Sequence, residues 1–511
     1  MIPILILAAV TAAIVMACIE WRIAAPLLIV LAIPLGDRPI PSGPLPLQLI
    51  DVVTGIVVSV VVVRRLLAGG TPLSLPWLAL PLVTLPILAV VSTVQSVDVG
   101  LSLRQTVQIV FGVLLSLAVA SSVVDDRQRM IVVSVFCIVG GGVCLWGAFD
   151  SEATRVLDSG SLITNRATGI FAQANELGAF AAVVTAMGLA LTMTRGNRFA
   201  RSAGYWGLAG GIGATVVALS RGSMVGIALA VVVFAVLLAD IRLRILTVAS
   251  LVLLTLVIAG AGKVGPTSLQ IAGDRVATIV TGNENPYDER PAIYAEAQRQ
   301  IRERPLFGSG PGSFPIASGV GKQPGLSLST AEFHGLPVTV GADHAHNVLL
   351  TVGAEMGLLG IGLAVAFTML LGSALLRVSR RAAVRNGQVV IAGLAAALST
   401  FVGQGLVDFT LRNPIVFATL WLMVGLALGT LLSSRQSAST RSWQAGRASS
   451  RRVPDPRPEA DRDDDSERVA GMDAHLVALV DHPDHVALER VRHHHPCRPE
   501  QPHRHNKDRG A

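Results

Sequence analysis

Arg221 is the residue of this sequence whose type and position most clearly indicate a chemical role. It lies in the sequence SRGS, which joins two apolar segments almost without a loop. A guanidinium at a hydrocarbon boundary needs an anionic partner, and its forked donors match the oxygens of a phosphate. Phosphate binding is therefore the role predicted for Arg221. The alternatives are contact with lipid headgroups or an ion pair with Asp408.

His346 is a candidate general base. It lies in the sequence ADHAHN, just before the first apolar segment that follows a long polar loop. A neutral imidazole near pH 7 can accept a proton from a hydroxyl. Helix capping or contact with headgroups is the alternative, above all for His344. These two histidines beside Asp343 could also hold a metal ion, but no third ligand follows at a usual spacing, so no metal is predicted.

Glu355 is a carboxylate in the same apolar segment as His346. A continuous helix would place it about two turns in, roughly 12 Å below the surface at a rise of about 1.5 Å per residue. A buried acid is costly and often functional, but the glycines around it indicate close helix packing, so a hydrogen bond to a neighbour is an equal alternative. The sequence GSGPG in the preceding loop predicts a tight turn rather than a phosphate cradle, because no GK[ST] accompanies it.

The elements that must position these residues are predicted to be membrane-spanning helices. Of 511 residues, 51% are hydrophobic and 15% are charged, which excludes a disordered chain and argues against a water-soluble enzyme. Apolar runs recur, and each is long enough to cross a hydrocarbon core of roughly 30 Å. The fold class is therefore an all-α polytopic membrane protein, a bundle of about 12 transmembrane helices or 13. The predicted spans are 2–18, 23–35, 47–63, 77–94, 107–124, 130–149, 177–193, 203–219, 222–239, 245–262, 347–376, 388–407 and 413–432.

The arginines predict which ends of the helices face the cytoplasm. They concentrate in alternate connections and in the C-terminal tail, and the positive-inside rule makes that side cytoplasmic. The net charge of +7 thus reflects topology, and no nucleic-acid partner is predicted. Parity places the remaining connections outside a cytoplasmic membrane, so an active site there would face outward. The polar residues brought to this outer face are Arg166, Asn175, Arg221, Arg290, His344, His346, Asn347, Asp408 and Arg412.

Two domains follow from the composition. Residues 1–432 form the membrane domain, within which 263–346 is a large outer loop, and 433–511 form a cytoplasmic tail whose Ser, Arg, Asp, Pro and His content predicts disorder. In the loop, Pro291 begins a predicted helix that ends before Pro305. Its apolar face would carry Ile293, Tyr294, Ala297 and Ile301. The four cysteines form neither a disulfide framework nor a CxxC metal site.

Four stretches between residues 47 and 432 resemble the O-antigen ligase and polymerase superfamily. They are Arg166, Gly169, Phe171 and Asn175; Ser220 to Gly222; Arg290 followed by PLFGSGPGSF at 305–314; and His346 and Asn347 followed by Leu349, Leu350, Glu355, Gly357 and Gly360. The last stretch is the most specific. The sequence departs from the family at Tyr294, where tryptophan is common, and in the extra His344.

The resemblance implies a membrane glycosyltransferase of surface-polysaccharide assembly. Its donor would be a polyprenyl-diphosphate-linked glycan, its acceptor a hydroxyl of a lipid, a glycan or a protein, and transfer would invert the anomeric carbon without nucleotide, metal or cofactor. His346 would be the base, Arg221 and Arg290 would hold the diphosphate, and the outer loop would cover the site. The possible supporting residues are Arg166, Asn175, Asn347, Glu355 and Asp408. Ligase, polymerase and protein O-glycosylating enzyme remain open.

A transporter or flippase of lipid-linked glycans is the alternative function, because it would also need arginine in the membrane. Such a protein more typically has inverted repeats and broken helices at the middle of the membrane. Here the ionisable residues gather at one face, which favours an enzyme. A scaffold protein would not require Arg221 at its boundary position.

Overall fold

The computed structural model describes residues 22–36, 38–40, 47–67, 80–123, 125–149, 154–157, 163–238, 245, 249, 290–318, 332–333, 336–337, 343–381 and 385–450. The predicted span 2–18 and nearly all of the span 245–262 lie outside these residues, as do 263–289 and 451–511. In the described part the chain is helical apart from turns and three two-stranded antiparallel sheets. The strands are β1 Pro39–Ile40 with β2 Leu47–Gln48, β3 Thr154–Leu157 with β4 Ile163–Arg166, and β5 Glu332–Phe333 with β6 Leu336–Pro337.

Every predicted span within the described residues coincides with a helix. The helices are α1 Arg22–Leu35, α2 Leu49–Leu67, α3 Leu80–Val94, α4 Val99–Ser122, α5 Asp126–Phe149, α6 Ala174–Thr192, α7 Arg198–Ala218, α8 Arg221–Leu237, α9 Arg290–Glu303, α10 Phe314–Ala317, α11 Val348–Arg381, α12 Arg385–Gly405 and α13 Pro414–Ser450. Among the described residues, 6 of these helices are long and apolar enough to cross a membrane, and α1, α3 and α8 are shorter apolar helices. A multi-pass membrane protein is confirmed, but a bundle of about 12 crossing helices is not.

Helix α6 lies at the centre of the bundle, with α5, α7, α8 and α12 packed around it. Its contact with α7 is close because both helices carry glycine: a methyl group on Gly188 would lie 2.6 Å from the backbone nitrogen of Leu208. Small residues let helix backbones approach, and van der Waals contact is the main attraction between helices in lipid. These glycines therefore set the positions of the helix ends that carry polar residues.

Contacts between connections sort the helix ends into two groups, as the arginine pattern predicts. At the end predicted to be cytoplasmic, the contacts join Arg129 to Ser433, Arg195 to Asn386, and Ser379 to Leu237. At the opposite end, they join Val97 to Ser309, Asn175 to Asp408, and Glu176 to Asn413. The grouping agrees with the predicted alternation of the connections. Which group faces outward stays a prediction.

Helix α11 is broken at Gly357, where φ is 72° and ψ is −171°. The single helix predicted for 347–376 is therefore wrong: a short segment from Val348 to Met356 precedes a long one that begins at Leu358. Glycine adopts a positive φ without steric cost, so it permits this break. Glu355 consequently lies at the end of the short segment and not within a continuous helix.

The last helix ends later than the predicted domain boundary. Helix α13 runs to Ser450, so residues 433–450, which the composition predicts as disordered, continue the helix. The chain divides into two units, Met1–Ser449 and Ser450–Ala511. The described residues belong to the first unit apart from Ser450, and the rest of the predicted tail lies outside them.

Candidate active site

Asp408 lies in the connection between α12 and α13, at the centre of a cluster of polar side chains. The other members of this polar cluster are Arg166, Asn175, His344 and His346. Asp408 is 2% exposed. One carboxylate oxygen lies 2.7 Å from Nδ1 of His346, and the other accepts a hydrogen bond of 2.5 Å from the Asn175 amide. Because an ionised carboxylate only accepts, Nδ1 of His346 donates in this hydrogen bond, and Nε2 is the ring nitrogen that does not contact Asp408. This is the geometry of an oriented general base.

The backbone at His346 fixes the direction of its ring. His346 has φ 48°, in the left-handed region that side chains rarely adopt. The next residue, Asn347, caps α11 by accepting the backbone N–H groups of Leu349 and Leu350, and its amide donates to the Leu406 carbonyl at the end of α12. Asn347 therefore ties together the two helix ends that carry His346 and Asp408. With 27% of its side chain exposed, His346 is accessible to a substrate.

Arg166 and Asn175 support Asp408 from the other side. The Arg166 guanidinium donates to the Asn175 side-chain oxygen and, through Nε, to the Ala218 carbonyl at 2.9 Å. Asn175 in turn donates to Asp408. The sequence placed these residues at one face and, through the resemblance, among the possible supporting residues, and the structure shows a continuous chain of hydrogen bonds from Arg166 to His346.

Arg221 is the first residue of α8, directly after Ser220, whose hydroxyl accepts from Ser223 N. Its Nε is buried and has no hydrogen-bond partner among the described residues. The described contacts of Asp408 are with histidines, Asn175 and backbone, so the predicted alternative of an Arg221–Asp408 ion pair is not formed there. Arg221 is thus held at a helix N-terminus, where an anion is favoured.

Arg290 begins α9, the predicted helix of the outer loop, which the structure confirms from Arg290 to Glu303. Tyr294, one turn later on the same face, donates to the His346 carbonyl at 3.5 Å. Arg290 therefore lies about one helical turn from the residue that contacts His346. A small apolar cluster holds α9 in this place by packing it against α10 and the start of α11. Its buried members are Ile293, Ala297, Phe314, Ala345 and Ala354.

His344 is the residue that the sequence left without a role. It is 3% exposed, and its ring nitrogens lie 2.6 Å from an oxygen of Asp343 and 3.5 Å from one of Asp408. Burial lowers the pKa of His344, but the two carboxylates outweigh burial and raise this pKa to about 9. Burial likewise raises the pKa of Asp408, but His344 and His346 outweigh it and hold that pKa well below its usual range. His344 and Asp408 therefore carry opposite charges near neutral pH.

The raised pKa of His344 makes the free energy of unfolding depend on pH. A folded-state pKa raised above the unfolded value of about 6.5 contributes stability that is complete below pH 6.5 and is lost as pH rises through 9. We expect the free energy of unfolding of the purified protein to fall by a few kcal/mol between pH 7 and 10, at roughly 1.4 kcal/mol per pKa unit. Thermal unfolding at a series of pH values measures this dependence. His344→Gln should flatten this slope. An equal slope in both proteins would contradict the assignment.

Three groups of the cluster could hold a metal ion by their residue types. The ligand atoms of His344, His346 and Asp408 all lie within 4.8 Å of one another. Asp408 is a third candidate ligand that the local sequence spacing could not indicate, because it comes from a connection 62 residues away. However, two ligands of one tetrahedral zinc ion lie roughly 3.3 Å apart. The 2.7 Å between His346 Nδ1 and Asp408 is a hydrogen-bond distance, so these two groups are arranged to bind each other and not a shared zinc ion.

Glu355 joins the glycine-rich loop, 305–313, to the site. Its carboxylate accepts the backbone N–H groups of Gly312 and Phe314 at 2.8 and 3.3 Å, and it lies 2.5 Å from the Arg412 guanidinium. Gly308, Gly310 and Gly312 all have positive φ, which confirms the predicted tight turn. Since Arg412 also donates to the Asp343 carbonyl, Glu355 links the loop to the connection that carries Asp408.

Glu355→Ala is therefore expected to destabilise the outer face. It removes the acceptor of two loop N–H groups and leaves the Arg412 charge without its partner, which costs about 3 kcal/mol for a buried pair. Thermal unfolding of the purified protein in detergent measures the loss. The control is Glu303→Ala, which removes an exposed ion pair on α9 worth below about 1 kcal/mol. Equal effects of the two variants would contradict this account of Glu355.

Comparison with known proteins identifies one family. A family model described as O-Antigen ligase matches residues 206–365. The match includes Arg221, Arg290 and His346, whereas Asn175 and Asp408 lie outside it. A search of curated proteins finds no match. The resemblance seen in the sequence motifs is thus confirmed for residues 206–365, which match the O-Antigen ligase family and support the resemblance to the O-antigen ligase and polymerase superfamily.

Proposed function

We propose that the protein is a membrane glycosyltransferase that moves a glycan from a polyprenyl-diphosphate carrier onto an acceptor hydroxyl. The hydrogen bond of 2.7 Å between His346 and buried Asp408 is the main support, since it creates an oriented base. Arg221, in the same family-matched segment as His346, supplies a cation at a helix N-terminus. A base and a phosphate-binding cation are the two groups that such a transfer needs.

The proposed reaction is a direct displacement at the anomeric carbon. The acceptor hydroxyl gives its proton to Nε2 of His346 as its oxygen forms a bond to that carbon. The bond between the carbon and the diphosphate oxygen breaks, and the bonding electrons leave with the polyprenyl diphosphate. Arg221 and Arg290 stabilise the charge that develops on this leaving group. Attack opposite the leaving group inverts the configuration, and neither a metal nor a nucleotide takes part.

The proposed location is the outer face of a cytoplasmic membrane, where α9 and the glycine-rich loop would cover the site. The acceptor is a hydroxyl of a lipid, a glycan or a protein, so the enzyme would act as a ligase or as a polymerase. The lipid-linked donor would reach the site along the membrane surface, as would a lipid acceptor.

The test uses the purified protein in liposomes with a polyprenyl-diphosphate oligosaccharide, candidate acceptors and EDTA, without nucleotide. Release of polyprenyl diphosphate with a ladder of products is expected of a polymerase, and a single transfer of a ligase. Activity that EDTA removes and zinc restores would contradict the metal-free reaction. Movement of the donor between leaflets without bond cleavage would contradict the enzyme and indicate a transporter.

A further inference from the structure

Gln404, in the last turn of α12, is a buried polar residue that the proposed reaction does not yet use. It is 2% exposed, and both its side-chain oxygen and its side-chain nitrogen are buried without a hydrogen-bond partner among the described residues. Its backbone, in contrast, is well anchored, because its carbonyl accepts the N–H groups of Val407 and Asp408 at 3.0 and 2.8 Å. The side chain is therefore held in place with its polar atoms unsatisfied.

The amide of Gln404 lies against the first turn of α8. A methyl group on Gly222 would be 2.7 Å from its oxygen and 2.8 Å from its nitrogen, so only glycine leaves room for the amide at this position. Gly222 follows Arg221, whose Nε is also buried without a partner in the described part of the chain. Polar atoms without partners in the described part of the chain thus occur both on Arg221 and on the side chain packed against Gly222, at the first turn of a helix of 17 residues.

This arrangement is costly unless a ligand uses it. A buried amide without partners loses its hydrogen bonds to water, whereas an apolar side chain of similar size would lose nothing. The positive end of α8 and the Arg221 guanidinium both favour an anion. A phosphate oxygen accepts hydrogen bonds, so it satisfies the Gln404 nitrogen and the Arg221 donors together.

We propose that Gln404 is a substrate-binding residue whose amide N–H donates to a phosphate oxygen of the lipid diphosphate held by Arg221. The identity of this anion rests on the proposed function. Because Asp408 follows Gln404 by four residues in a connected turn, one short segment would position both the leaving group and the base. Such coupling would keep the diphosphate in line with the attacking hydroxyl.

The test compares Gln404→Leu with Gln388→Leu in the purified protein. Gln388 lies at the opposite end of the same helix, where its amide donates to the Leu237 carbonyl, so it is a matched control. The probe is polyprenyl diphosphate without glycan, titrated in detergent and followed by the shift in unfolding temperature. We expect Gln404→Leu to weaken binding about tenfold or more, with the unliganded protein as stable as wild type or more stable. Gln388→Leu should bind as wild type, and Arg221→Lys should lose binding.

A second variant tests the effect of a negative charge at the same position. Gln404→Glu keeps size and polarity but places a carboxylate beside the anion, so its affinity should fall at least as far as that of Gln404→Leu. Wild-type affinity in either Gln404 variant would overturn the inference, as would a wild-type protein that does not bind polyprenyl diphosphate.

The two proposals fail in different ways. If the wild-type protein transfers glycan but Gln404→Leu keeps the wild-type KM for the donor, then Gln404 is not a substrate-binding residue and the proposed function stands. If Gln404→Leu loses diphosphate binding while the wild-type protein transfers no glycan, then the inference about Gln404 stands and the glycosyltransferase does not.

Discussion

His346→Ala is expected to reduce glycan transfer by about 10³-fold or more, while the protein stays folded in the membrane. The variant removes the nitrogen proposed to accept the hydroxyl proton, and it leaves Asp408 hydrogen-bonded to Asn175. Product formation from the lipid-linked donor in liposomes measures the loss. Polyprenyl diphosphate affinity should be unchanged, because Arg221 and Gln404 are untouched.

Two further measurements separate proton transfer from a structural role of His346. His346→Gln keeps a polar side chain beside Asp408 but cannot act as a base, so it should be as inactive as the alanine variant. Added imidazole should partly restore His346→Ala, since it can occupy the freed volume and take the proton. Full activity of the glutamine variant would show that His346 is not the base.

Asp408→Asn is expected to lower kcat by about 10³-fold with little change in KM for the donor. An amide at this position can donate to Nδ1 of His346, which would favour the tautomer whose Nε2 carries the proton and cannot accept another. With its nitrogen toward His346, the new amide keeps its oxygen toward the Asn175 donor, so the support from Asn175 and Arg166 is retained and the change acts on the tautomer of His346. Steady-state kinetics of the purified variant measure both parameters.

Asp126→Asn is the matched control for Asp408→Asn. It makes the same chemical change in an exposed carboxylate that pairs with Arg129 at the opposite end of the bundle, and it should keep wild-type kcat. A loss below tenfold in Asp408→Asn would mean that the carboxylate does not orient the base. A rise in KM with unchanged kcat would instead place Asp408 in contact with the substrate.

The site is built on helix ends, which suits the chemistry proposed for it. His346 precedes α11, Asp408 follows α12, Asn175 opens α6 and Arg221 opens α8. Close packing at glycines sets the positions of these helices relative to one another, and hydrogen bonds join their ends. The glycine-rich loop is held by a different means: its Gly312 N–H donates to Glu355, which pairs with Arg412.

The sequence by itself determined the helices and the grouping of the polar residues. Within an apolar run of spanning length a helix satisfies the backbone hydrogen bonds in lipid, so the described apolar helices lie where they were predicted, apart from the break at Gly357 and the longer last helix. The alternation of arginines likewise separated the connections into two groups, and the contacts of Asn175 and Ser379 agree with it. Both signals are local in the chain, which is why one sequence suffices to show them.

Only the tertiary structure decided which polar groups contact each other. His346 could have been paired with Asp343, and Asp408 with Arg221, since parity places all of them at one face. The actual pairs depend on the break at Gly357, the left-handed backbone at His346 and the room that Gly222 leaves for Gln404. These features arise where distant segments pack together. A contact such as that between His346 and Asp408, 62 residues apart, depends on packing that no local pattern of residues records.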